Sequence, residues 1–169
     1  CHPDPAVGSE GKPGHMSLSA SIHGFHANYL TNRDGNICRK CHPAEPNGVT
    51  KCQRGIHDML GLTCGSCHGT LEDHALALLK REKEQDKPSV DIVMANLEPR
   101  AVKSIEEINP RQSWLQQPDC LNCHKEFNPP EVFETFNQWT EGPDDLYRNR
   151  SDATGLLCSA CHGSPHAIY

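Results

Sequence analysis

Aromatic side chains are scarce in this 169-residue chain, with Phe, Tyr and Trp together making up 5%. Hydrophobic residues of all kinds reach only 36%, and the mean hydropathy is -0.65. Side chains of this composition can bury little apolar surface, each Å² being worth roughly 25 cal/mol, against an ordering cost of about 1–2 kcal/mol per residue. Either the chain is disordered or something besides side chains supplies its interior. It has no run of about eighteen apolar residues, the length a membrane-spanning helix needs. It also lacks any long basic run, and its formal charge is -6, which together argue against nucleic acid as a partner. No signal-peptide pattern is visible, and the opening at Cys1-His2 reads as that of a mature or trimmed product.

Against these shortages stand ten cysteines and eleven histidines. Eight of the cysteines form four identical units: Cys38-Arg39-Lys40-Cys41-His42, Cys64-Gly65-Ser66-Cys67-His68, Cys120-Leu121-Asn122-Cys123-His124 and Cys158-Ser159-Ala160-Cys161-His162. C-x-x-C-H is the attachment signature of c-type haem. Two thiols three positions apart can form thioethers with the two vinyl groups of one porphyrin, and the adjoining histidine then falls under the iron as its proximal ligand. A zinc ribbon also uses paired C-x-x-C units, and a thioredoxin-like pair uses one, but only within a βαβ unit that is absent here. The histidine decides between them. With 11 histidines in 169 residues, chance would place one after all four units about twice in a hundred thousand sequences, and a zinc ribbon has no use for that position.

On these motifs the chain resembles the multihaem c-type cytochromes over residues 22–169, as a whole protein or as a segment of a larger multihaem chain. Gly61-Leu62-Thr63-Cys64 through Gly69, its echo Gly155-Leu156-Leu157-Cys158 through Gly163, and His162-Gly163-Ser164-Pro165-His166 are typical of that group. The resemblance implies haem c at four sites, a periplasmic or extracellular location, and electron exchange with other cytochromes, redox proteins or mineral acceptors. Some relatives assemble into conducting filaments in which an arm of one subunit completes a haem of the next, and residues 1–26 are a candidate arm.

The sixth iron position separates electron transfer from catalysis. Seven histidines remain once the proximal His42, His68, His124 and His162 are set aside. His23 and His26 stand three apart and would share a helical face, so each is a candidate distal ligand to one of two neighbouring haems. His57, His74, His166 and His15 are the further distal candidates. His74 and His166 lie too close to the proximal histidine of their own unit to reach round its iron, so each would serve a neighbouring haem. A surface or propionate-bonding imidazole is the plainer role for each. Met16, Met59 and Met94 are minor alternatives that would raise the potential.

Cys1 and Cys52 lie outside the four units. Cys1-His2-Pro3 matches Cys41-His42-Pro43 and reads as the tail of a fifth unit, with His2 proximal. A Cys1–Cys52 disulfide and a lipid-bearing N-terminal cysteine are the competing readings, while Cys52 alone reads as a plain thiol.

The fold expected is mainly α with extensive loops and little or no β, scaffolded on haem as in multihaem cytochromes. Residues 1–21 read as an extended Gly/Pro/Ser-rich arm. Residues 22–169 read as one haem-binding domain: a two-haem module at 22–75, a helical insert at 76–117 and a second two-haem module at 118–169. Thr70 and Asp73 signal a helix start, followed by a stripe of Leu71, Ala75, Leu78 and Leu79 that ends by Lys87-Pro88. Val90, Val93, Met94 and Leu97 repeat the pattern up to Pro99. Residues 80–87 read as a solvated charged face, and residues 131–139 as a further short helix. The expected function is electron transfer through bis-histidine, low-spin haems, with the haems carrying the net charge to about -10 and favouring basic docking partners. The alternative is a reductase of nitrite, tetrathionate or a similar oxyanion, with one open haem. The C-x-x-C-Lys variant that marks one such group is absent, as is any Ser/His/Asp or paired-carboxylate constellation.

Overall fold

A computed structural model describes residues 1–30, 37–44, 53–133 and 135–168, and it is mainly helical with long connecting loops. The helices are α1 (Leu18–Tyr29), α2 (Ile56–Met59), α3 (Cys64–His68), α4 (Leu71–Lys83), α5 (Val90–Met94) and α6 (Cys158–His162), with short 3-10 turns between them. Among the described residues, strand structure is confined to β1 (Arg54–Gly55), paired in parallel with β2 (Ala167–Ile168). Cys52, and with it the Cys1–Cys52 disulfide reading, lies outside the described residues.

The apolar core forms where α1 crosses α4 and α5. Ser17 caps α1, its Oγ accepting from Ala20 N at 3.2 Å. Ala20, Gly24 and Ala27 recur at helical spacing and turn a face of small residues inward. A Cβ at Gly24 would stand 2.7 Å from Val93 Cγ1 and 3.1 Å from Leu79 Cδ1, so the missing side chain is what lets the helices approach. The amide of Asn28 donates to the carbonyls of Gly24 and Val93, both at 2.9 Å, tying α1 to α5.

α4 starts where the sequence signals it. Thr70 and Asp73 form a capping box, Asp73 Oδ2 accepting from Thr70 N at 3.0 Å and from Thr70 Oγ1 at 2.7 Å. Asp73 is fully buried, and its other oxygen accepts from the backbone N–H groups of Arg100 (2.7 Å) and Ala101 (3.2 Å). The buried face takes in Leu76 and Ala77 as well as the expected stripe.

The structure corrects two expectations. Residues 80–87 are not simply a solvated face. Lys80 Nζ donates to the carbonyls of Ile105, Glu106 and Ile108, and buried Glu82 accepts from Ser17 N at 3.1 Å. The described residues of 131–139 form no helix: 136–137 make a turn and Trp139 bridges Pro118. Asn137 takes a φ of 68°, accepts from Asn109 N and donates to Glu107 O, while Trp139 Nε1 donates to Asn109 O at 2.9 Å. Side-chain bonds to residues 107–109 thus replace the helical ladder. In residues 1–21, positions 5–15 are exposed, while Leu18 N donates to Pro3 O and Met16 sits in the core. α1 begins inside that stretch.

Candidate haem-iron sites

In each C-x-x-C-H unit the chain turns helically, so that the histidine returns one turn above the first cysteine. The backbone N–H of His42 donates to Cys38 O at 2.8 Å, and that of His124 to Cys120 O at 2.9 Å. Ser66 Oγ accepts from Thr63 N at 3.1 Å to start α3, and Asp119 accepts from Leu121 N at 3.1 Å to start the Cys120–Asn122 turn. At Gly69, which closes α3 with a φ of 76°, a Cβ would meet Phe136 Cε2 at 2.5 Å. Arg150 links the third and fourth units: its guanidinium holds Asp119 at 2.8 Å and its carbonyl accepts from Cys158 N at 3.0 Å.

The sulfurs of successive units adjoin. A hydrogen bond from the Cys38 thiol lowers Cys64 to about 6. Burial pushes Cys67 up to about 11, with Cys123 and Cys120 the next contributors. The Tyr147 hydroxyl, raised first by burial, also feels Cys120, Cys158 and Cys161. Neighbours in sequence are therefore neighbours in space, across the expected module boundary as well as within each module. Among the described residues no three His, Cys, Asp or Glu side chains converge as one ion's ligand shell.

The histidines are arranged in pairs. The ring centres of His23 and His42 lie 6.2 Å apart, those of His57 and His124 6.2 Å, and those of His68 and His166 6.4 Å. Each pair joins a unit histidine to one from elsewhere. With a metal–imidazole bond of roughly 2 Å and a ring centre about 1.1 Å behind the bonding nitrogen, two imidazoles on opposite faces of one iron would have centres about 6.3 Å apart. The β1–β2 pairing brings His166 to the second unit, with Arg54 N donating to His166 O at 2.8 Å. His2 and His15 form a fourth pair, at 5.9 Å.

In most of these rings one nitrogen is fixed by a backbone carbonyl. Nδ1 of His23 bonds Ser19 O (2.8 Å), that of His2 bonds Met16 O (2.8 Å), that of His124 bonds Asn128 O (3.2 Å) and that of His15 bonds Pro13 O (3.3 Å). His57 bonds the Pro165 carbonyl. Such an anchor fixes the tautomer and leaves the other nitrogen free for a metal. Burial lowers the pKa of His23, His57, His166 and His74, and takes His68 to about 3. These rings are held in the neutral form that ligates.

Three candidate ligands stand apart. His26 is anchored to Ile22 O at 2.8 Å but touches only Phe25. His162 meets no second imidazole among the described residues. His74 is half-buried, edge-on between His23 (4.5 Å) and His68 (5.7 Å), with Nδ1 unbonded. Of the methionines, Met16 and Met94 are taken up in core packing, and Met59 is exposed.

Compared with known protein families, curated proteins and solved structures, the chain matches none. Whether the residues present fit c-type haem therefore rests on the chain itself, and they do. Beyond thiol spacing and imidazole pairing, large apolar side chains stand exposed beside the units: Met59 and Leu60 before Cys64, and Leu156 and Leu157 before Cys158. Such patches are what a flat apolar macrocycle would cover.

Sequence reasoning missed Arg111, because nothing in Asn109-Pro110-Arg111-Gln112 marks it. It is 7% exposed and lies over the Trp139 ring, 5.2 Å from its centre. Burial lowers its pKa to about 10, and its charge disfavours protonation of His68, His74 and His23.

Proposed function

We propose that the chain is an electron carrier, working in the periplasm or outside the cell, that binds c-type haem at its four C-x-x-C-H units. The single observation that carries this reading is the recurrence of one imidazole spacing, 6.2–6.4 Å, in three pairs that each join a unit histidine to a non-unit histidine. Cys38 and Cys41 would tether one haem, with His42 and His23 on opposite faces of its iron. Cys64 and Cys67 would hold a second with His68 and His166, and Cys120 and Cys123 a third with His124 and His57. Cys158, Cys161 and His162 would hold the fourth. Bound there, haem supplies reversible one-electron chemistry. The chain's residues fix the imidazoles, keep them neutral and shield the sites from water. With both axial positions filled, little needs to move on reduction, which suits electron transfer over catalysis. The His2–His15 pair supports the fifth-unit reading of Cys1. The charge of the loaded chain, about -10, suits redox partners with basic docking surfaces.

One observation favours a second reading. His162 has no imidazole opposite it among the described residues, so an iron held there would present one open face to a small oxyanion such as nitrite, and the chain would be a reductase. A histidine from another copy of the chain would close the same face, as in filament-forming relatives. The oxidised visible and EPR spectra separate these readings. A carrier shows low-spin iron throughout and does not bind cyanide or nitrite. In it His166→Ala opens one iron of the set to high spin and to cyanide, leaving the others unchanged. Ready binding of nitrite by the unaltered protein would instead establish the reductase.

A further inference from the structure

Among the described residues, Arg111 is a buried cation without a counter-ion. Every other arginine or lysine named in the ion pairs of the structure holds a carboxylate: Arg81 with Glu84, Lys83 with Asp91, Arg100 with Glu72, and Arg150 with Asp119 and Asp145. Arg111 is the most deeply buried of these cations, at 7% exposure, yet among the described residues no carboxylate reaches it and its Nε has no acceptor. The Trp139 face covers one side of the guanidinium at 5.2 Å. A cation–π contact offsets only part of what desolvating a charge costs, and it leaves the in-plane N–H donors unused. Those donors form a planar fork suited to a carboxylate.

The position of the fork identifies its acceptor. Arg111 N donates to Ala77 O at 2.8 Å, which fixes the residue against the middle of α4, and its charge is felt by His68, His74 and His23. It therefore faces the space between the first and second units. His74, half-buried there with Nδ1 also unbonded, carries no negative charge to answer it. We propose that Arg111 is a positioning residue that binds a propionate carboxylate of the haem held by His68, and that its charge raises that haem's potential. This rests on the reading that the units carry haem. No bond is made or broken; an ion pair forms as the site loads.

The test compares holoprotein carrying Arg111→Gln and Arg111→Lys. Intact mass comes first, because absence of haem from the unaltered protein would defeat the underlying reading rather than this proposal. With haem content equal, spectroelectrochemical titration of Arg111→Gln should show one haem shifted at least tenfold toward the oxidised form at fixed potential, about 59 mV lower for a one-electron couple. The ferric core carries one more positive charge than the ferrous core, so removing a nearby cation favours the oxidised state, which sets that sign. Arg111→Lys, which keeps the charge, should recover most of the shift. Unchanged titration curves in Arg111→Gln would overturn the proposal. Should neither variant accumulate, an experimental structure of the unaltered holoprotein decides it. A propionate oxygen within hydrogen-bond distance of the guanidinium supports the ion pair, and propionates directed elsewhere refute it.

Discussion

Imidazole has two nitrogens, and this chain uses them differently. One is tied to a backbone carbonyl in His2, His15, His23, His26 and His124, leaving the second for a metal. The helical turn of each unit, which brings its histidine back over the first cysteine, is legible in the sequence because the signal is local: two thiols and a ring within one turn. The partners of those histidines are not, because pairing depends on tertiary placement. His166 reaches His68 only through the β1–β2 contact, and His57 reaches His124 across more than sixty residues. Burial sets a pH dependence with a definite sign. His74, which none of the proposed iron sites uses, is held well below the ordinary 6.5 by burial in the fold. Protons then bind the unfolded chain first. Stability should be complete above pH 6.5 and decline as the pH falls below it, starting above the carboxylate range. The denaturant midpoint measured across this interval checks it, and a midpoint constant down to pH 5 would contradict it.

At the level of elements, legibility followed the kind of signal each carries. α4 announced itself through a cap pair and a leucine stripe, and both are present. α1 buries Ala20, Gly24 and Ala27, residues too small to register as an apolar stripe. Residues 131–139 misled in the opposite direction: Phe133 and Phe136 have helical spacing, yet Phe133 is exposed and only Phe136 packs on the core. The α1–α4 contact bears directly on the first site, because Gly24 adjoins His23. Gly24→Ala should cost about 1–3 kcal/mol, since Val93 and Leu79 leave no room for a methyl group. The ordinary gain of replacing a helical glycine, about 0.5–1 kcal/mol, would only partly offset this. Denaturant titration reads the stability change, and a variant as stable as the parent would show that the helices can separate freely.

For the molecule as a whole, composition told half the story. Too few apolar side chains for a conventional interior led to the expectation of a porphyrin-filled one. The structure does contain an aliphatic core, gathered where α1, α4 and α5 meet. The helices that carry units differ: α3 and α6 bury no residue, and apolar side chains beside them face outward. One chain thus joins a side-chain core to a set of sites whose covering must come from elsewhere, with successive units adjacent throughout. Intact mass spectrometry of the purified protein tests this most directly. The polypeptide alone weighs 18.7 kDa, and each thioether-linked haem adds about 616 Da. At least four such additions are expected, mapping to the Cys38, Cys64, Cys120 and Cys158 units. A mass equal to that of the bare polypeptide, or one raised only by zinc, would contradict it.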